Sequence, residues 1–177
     1  MKKLCLTLVL ALALLALPGL AEEDDAPEER VSGDWYYVVH EDGSAEITYW
    51  TGGAATLTVP SVLDGHRVTA LGDHALAYWE ELEQVRLPDG LARIGDGAFE
   101  GCACLRAIDL PAVVSQIGAN PFKACGALKE IGTGGGHLTF EDGMLLDRKG
   151  GRLVSFLPAS GITAAAVPEG KIGRAHV

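Results

Sequence analysis

Hydrophobic and polar positions divide the chain into three textures. Leu4 to Leu17 is an almost unbroken apolar run behind Lys2 and Lys3, closed by Pro18 and Gly19. Residues 22–31 invert it, with Glu22, Glu23, Asp24, Asp25, Glu28 and Glu29 interrupted only by Ala26 and Pro27. Beyond Trp35, short stretches alternate between apolar and polar, and from about Leu57 the pattern repeats. One unit carries Val85, Pro88, Ile94, Gly95, Phe99, Cys102 and Leu105; 23 residues later stand Ile108, Pro111, Ile117, Gly118, Phe122, Cys125 and Leu128. Counting 23 back gives Leu71, Gly72, Leu76 and Leu82, while the earlier proline, Pro60, implies five extra residues in a loop around Leu63 to Arg67. Seven matches in adjacent units make this an internal repeat.

Each period reads as one coil of a solenoid, because a single coil cannot bury its apolar side and stacked coils can. Leu105, Ile108 and Leu110 send their side chains inward from a short strand, and Pro111, which has no N–H to donate, ends the ladder. A second extended piece, Leu91 to Ile94, leads to Gly95, read as the residue that permits a turn. Asp96 is expected to cap a short helical turn, with Asn120 and Pro121 doing the same in the next unit. Phe99 and Phe122 then stack inside. Strands on either side of Asp42-Gly43, Trp35 to His40 and Ala45 to Trp50, predict a hairpin before the repeats, and Phe140 to Phe156 predicts another after them.

The motif at 87–105, Leu-Pro-Asp-Gly-Leu-x-x-Ile-Gly-Asp-x-Ala-Phe-x-Gly-Cys-x-x-Leu, resembles the BspA-like leucine-rich repeat family of bacterial surface proteins. The likeness runs from about Leu57 to Gly170, with Leu76 in place of the usual Phe and Ala119-Asn120-Pro121-Phe122 in place of Asp-x-Ala-Phe. It implies an α/β-type leucine-rich repeat solenoid, a short β-strand plus a short helical turn per coil, with an N-terminal β-hairpin cap. It also implies adhesion and contact with proteins of a host or neighbouring cell.

The expected plan is a signal peptide at 1–21, an acidic leader at 22–31, the hairpin cap at 32–56 and repeats at 57–131. An inter-repeat loop and hairpin insertion follow at 132–166, and the start of a further repeat at 167–170. The apolar run is shorter than the roughly 20 residues of a membrane-spanning helix, and Gly19 and Ala21 suit a cleavage site. A secreted or cell-surface protein with no membrane insertion after cleavage is therefore expected. Lys171 to Val177 breaks the repeat and resembles a translated sequencing adapter, so the natural chain is expected to continue beyond Gly170.

Charge then excludes partners. The 177 residues hold 14 basic and 24 acidic groups, a net charge of −10. Nucleic acid and anionic membrane reward a basic surface, so neither is an expected partner. The acidic leader lacks the Asp-x-Asp-x-Asp-Gly pattern of a calcium loop and reads as solvated chain.

Candidate chemistry is sparse. The five histidines, at 40, 66, 74, 137 and 176, have no ligand spacing, and Cys102, Cys104 and Cys125 lack a fourth zinc ligand. Stacked Cys102 and Cys125 are close enough for a disulfide, but inward-pointing free thiols suit a ladder of small apolar residues better. Gly132 to Gly136 lacks the Lys-Ser/Thr of a phosphate loop and reads as an inter-coil loop. No nucleophile–base pattern occurs, so no catalysis and no cofactor are expected. What remains is surface. Glu83, Arg106 and Lys129 should form one outward column and Arg86, Asp109 and Gly132 another, with Glu83–Arg106 and Arg86–Asp109 opposing charges across rungs. Tyr78 and Trp79, at a coil rim, are the aromatic anchors expected for a protein partner. A non-catalytic protein-interaction or adhesion module is the leading reading; a passive stalk, or the repeat region of a larger surface enzyme, are the alternatives.

Overall fold

The structure, a computed structural model, describes residues 27–157. The signal peptide, most of the acidic leader, the restarted repeat and the terminal tail lie outside the described residues. Fourteen strands follow in order: β1 (Arg30–Ser32), β2 (Trp35–Val39), β3 (Ala45–Trp50), β4 (Thr56–Thr58), β5 (Val62–Leu63), β6 (His66–Leu71) and β7 (Gln84–Arg86). Then come β8 (Arg93–Ile94), β9 (Ala107–Leu110), β10 (Gln116–Ile117), β11 (Glu130–Thr133), β12 (Leu138–Glu141), β13 (Met144–Asp147) and β14 (Arg152–Phe156).

Two parallel sheets record the coils. One has the order β4-β7-β9-β11, and the other runs β3-β6-β8-β10 with β1 and β2 added at its N-terminal edge. Val85 pairs with Ile108 and Ile108 with Ile131, so the parallel register equals the sequence period. The predicted inward positions are buried: Ile94, Phe99, Cys102, Leu105, Ile117, Phe122, Cys125 and Leu128 are all at most 5% exposed. Phe99 and Phe122 stack with centroids 5.5 Å apart and planes 16° from parallel. Pro88 is buried and Pro111 half-buried at the strand ends.

The expected helical turns are corrected: among the described residues there is no helix. Two features of each corner forbid one. His74, Gly97 and Asn120 occupy one equivalent position and Tyr78, Gly101 and Ala124 another, and all six have positive φ. A right-handed helix cannot pass through such residues. The corner N–H groups also alternate between bonds across coils and isolated turn bonds, such as Ala77 to the His74 carbonyl (3.0 Å) and Glu100 to that of Gly97 (2.8 Å), instead of continuing as a helical series. Leu76 and Tyr78 donate to the carbonyls of Ala98 and Glu100 at 2.9 and 2.6 Å, and Phe99 and Gly101 donate to Pro121 and Lys123 at 2.9 and 2.8 Å. The corners are thus a third inter-coil ladder, not a helix stack.

Asp96 and Asn120 accordingly cap nothing. Asp96 Oδ1 accepts the Ala119 N–H of the next coil at 2.7 Å, and Asp73 Oδ1 accepts the Asp96 N–H at 2.8 Å. Gly95 also has a different role from the expected one, since its φ is unexceptional. A Cβ there would lie 2.5 Å from the Gly72 carbonyl carbon, and one at Gly118 would lie 2.5 Å from that of Gly95. Glycine is required because adjacent coils touch backbone to backbone.

Both predicted hairpins are present, each enlarged to three strands. β2 and β3 pair antiparallel around the Asp42-Gly43 turn, and β1, which begins inside the span read as leader, adds to β2. β13 and β14 pair antiparallel, with β12 on the other edge of β13. The five extra residues after Pro60 form a tight β5–β6 hairpin, with Asp64 and Gly65 both at positive φ. Asp64 accepts hydrogen bonds from Ser32 Oγ (2.9 Å) and Tyr37 Oη (2.8 Å), tying that hairpin to the cap. The glycine stretch expected as a loop is partly strand: Gly132 and Thr133 belong to β11 and pair with Asp109 and Leu110.

Candidate functional site

Strand alternation determines which side chains face outward on the β4-β7-β9-β11 sheet. In β7 and β9 the pattern is exposed–buried–exposed around Val85 and Ile108, leaving Arg86 and Asp109 outward. Glu83, Arg86, Arg106 and Asp109 together line one shallow groove of about 250 Å³. Lys129 is exposed at the equivalent position of the next coil but is not part of that groove.

The two expected charge pairs part ways. Arg106 and Glu83 meet at 3.4 Å, with side chains 71% and 43% exposed. Arg86 and Asp109 form no ion pair. A Cβ at Gly132 would collide with Asp109 Oδ1, so the carboxylate leans over the glycine of the following coil. Gly132, having no side chain, leaves the room that Asp109 occupies.

Tyr78 and Trp79 also separate. Tyr78 is 67% exposed, while Trp79 packs against the core with its ring 4.6 Å from Trp50, which in turn stacks on Trp35 at 5.9 Å. Trp79 therefore joins the first coil to the N-terminal cap, and its Nε1 is buried without a hydrogen-bond partner. Tyr78 lines a cleft of about 430 Å³ together with Thr48, Tyr49, Asp73, His74 and Trp79. Tyr49, Asp73 and His74 were not singled out from the sequence. In Tyr49 the signal is concealed by a bulge: Tyr36 pairs with Tyr49 but Tyr37 with Ile47, so Thr48 is the extra residue. The bulge reverses the alternation, turning Tyr49 outward and Trp50 inward.

Beneath Tyr78 sits Glu100, its side chain 13% exposed, with Lys123 Nζ at 2.8 Å and His74 Nε2 at 3.3 Å. The Lys123 hydrogen bond and charge, followed by a hydrogen bond from Tyr78, hold the Glu100 carboxyl below the usual range. Glu46 is a second such node, with Arg93 Nη1 at 2.6 Å and His40 Nε2 at 2.9 Å.

Cys102, Cys104 and Cys125 are free. Cys102 Sγ donates to the Leu76 carbonyl and Cys125 Sγ to the Phe99 carbonyl, both at 3.1 Å, a repeat of one bond in successive coils. Burial pushes the Cys102 thiol up to about 11 and the Cys125 thiol up to about 12. Protonated thiols of this kind are poor nucleophiles and poor metal ligands. Among the described residues no three His, Cys, Asp or Glu side chains gather to hold a metal ion, and no helix is long and apolar enough to cross a membrane.

A search of curated protein sequences finds no match. Among solved structures, a leucine-rich repeat protein from Bacteroides capillosus is similar at 25% identity and a TM-score of 0.48, over 60% of this chain and 99% of that one. A leucine-rich cell-surface protein from Faecalibacterium prausnitzii is similar at 16% identity and 0.32, over 70% of this chain and 59% of its own. A Treponema pallidum (T. pallidum) leucine-rich repeat protein gives 20% and 0.39, over 59% and 71%. The model of the BspA type leucine-rich repeat region matches in six copies across residues 60–147, the same residues that carry the glycine, thiol and phenylalanine columns. This repeat region belongs to the BspA-type leucine-rich repeat family.

Proposed function

We propose that the chain is a secreted or cell-surface, non-catalytic protein-interaction module, an adhesion module for proteins of a host or a neighbouring cell. The observation that carries this reading is the outward face of the four-stranded parallel sheet. Its outward positions recur with the coil, and Glu83, Arg86, Arg106 and Asp109 among them line an open groove rather than a closed cavity. A face of that shape suits an extended protein surface better than a small molecule, which is normally held in an enclosed apolar pocket. The apolar run Leu4 to Leu17 supports export, and family membership supports a surface role.

The test is binding of the purified chain to immobilised extracellular-matrix proteins by surface plasmon resonance. Saturable binding that falls at least about tenfold in an Arg86→Glu/Arg106→Glu variant supports the reading. Saturable binding unchanged in that variant removes the strand face from the interface, and no binding to any matrix protein removes adhesion.

A further inference from the structure

We propose that the cleft lined by Tyr49 and Tyr78 receives an arginine or lysine side chain from an extended segment of a partner protein. The proposal rests on the protein-interaction reading and assigns a second contact and its chemistry. Tyr49 and Tyr78 are 48% and 67% exposed, and Asp73 beside them has a side chain 60% exposed. The faces of tyrosine rings carry negative potential and attract cations. An adjacent carboxylate adds a charged acceptor. No lysine or arginine is among the residues lining the cleft.

The receptor is preset. The Tyr78 N–H donates to the Glu100 carbonyl at 2.6 Å, and its ring lies so close over Gly101 that a Cβ there would fall 2.7 Å from Cδ1. Tyr49 is braced by Tyr36, edge to face with centroids 6.1 Å apart. Rings held in place lose little freedom when a ligand arrives. Asp73 spends Oδ1 on the Asp96 N–H, and Arg93 reaches that same oxygen only at 3.9 Å. Oδ2 has no hydrogen-bond or ion-pair partner among the described residues. His74 faces Glu100 and leaves the cation's place to the ligand. The chain's net charge of −10 favours the approach of a basic segment.

Net charge alone would also attract such a segment, so the experiment must separate ring from charge. Binding of fluorescent hexa-arginine, with hexa-glutamate as control, would be followed by anisotropy on the full chain at fixed salt. Tyr78→Ala, which changes no charge, is expected to weaken hexa-arginine binding about two- to five-fold, whereas Tyr78→Phe, which keeps the ring, retains it. Asp73→Asn keeps an oxygen for the Asp96 N–H and is expected to weaken binding more than the equal charge change Asp89→Asn. Tyr49→Ala serves as the second ring variant if Tyr78→Ala lowers the thermal midpoint. Equal affinity of wild type and both ring variants, or equal effects of Asp73→Asn and Asp89→Asn, overturns the proposal. Failure here, with matrix binding still dependent on Arg86 and Arg106, leaves the adhesion reading standing; loss of matrix binding alone leaves the cleft standing.

Discussion

Gly95→Ala is expected to be among the most costly single-methyl additions in this protein. The new Cβ would lie 2.5 Å from the Gly72 carbonyl carbon and 2.6 Å from the Asp73 nitrogen, both backbone atoms that cannot rotate away. Relief requires the two coils to separate locally by close to an ångström. That movement stretches the Gly95 N–H bond to the Leu71 carbonyl and the Asp96 N–H bond to Asp73, both 2.8 Å. Overpacking costs about 1–3 kcal/mol and a weakened hydrogen bond about 0.5–1.5 kcal/mol, so a loss of about 2–4 kcal/mol is expected. For a chain of this size that lowers the thermal midpoint by roughly 5–12 °C. Gly97→Asn is the contrast. Gly97 has φ +55°, the equivalent Asn120 has φ 46°, and the nearest atoms a Cβ would meet are at the outer end of the exposed His74 side chain. It should cost less than about 1 kcal/mol. Urea unfolding followed by circular dichroism measures both. A Gly95→Ala variant within about 0.5 kcal/mol of wild type, or Gly97→Asn as damaging as Gly95→Ala, would refute the backbone-contact argument.

Other predictions follow from the same packing. At pH 8 a thiol reagent should modify Cys104 promptly and leave Cys102 and Cys125 unreacted until the protein unfolds; fast modification of Cys102 or Cys125, located by peptide mapping, contradicts their burial. Both buried thiols bind their protons more tightly when folded, with values raised from 9.0 to about 11 and about 12. Their stabilising contribution is therefore complete below pH 9 and drains as pH rises toward those values. A Cys125→Ala variant should lose stability less steeply over that window, and an identical slope would show the thiol to be irrelevant. Trp79→Ala should cost about 2–3 kcal/mol because it empties the contact with Trp50, while Tyr78→Ala should stay within about 0.5 kcal/mol; thermal melts that rank them the other way reject the division of roles. The exposed Glu83–Arg106 pair should give a double-mutant coupling of no more than about 1 kcal/mol.

The coil was legible because burial repeats with the sequence. Phe99 and Phe122, Cys102 and Cys125, Leu105 and Leu128 recur at one spacing, and parallel register follows from that spacing alone. The turn pairs Asp42-Gly43 and Asp64-Gly65 marked where chains reverse, although only the first was read as a hairpin. The missing helix was not legible, since His74, Tyr78 and Ala124 carry positive φ without being glycine. At His74 and Tyr78 that conformation goes with N–H bonds to the next coil, at 2.9 and 2.6 Å, a constraint that no local propensity records. The same holds for Asp96, which resembles a cap locally but bonds across coils. Tyr49 was hidden by the Thr48 bulge, and the room that Asp109 occupies is left by a glycine one coil further on.

The 23-residue coil is the structural unit of this chain, and deletion tests it directly. Removing residues 96–118 joins Gly95 to Ala119, the same junction that Gly118 makes now, and leaves β11 facing β7. This shortened chain is expected to unfold in one cooperative transition at a lower midpoint with a β-type far-ultraviolet spectrum. Removing residues 96–115 instead shifts every later coil out of register and is expected to abolish the transition. A folded product from the second deletion, or an unfolded one from the first, would contradict the solenoid described here.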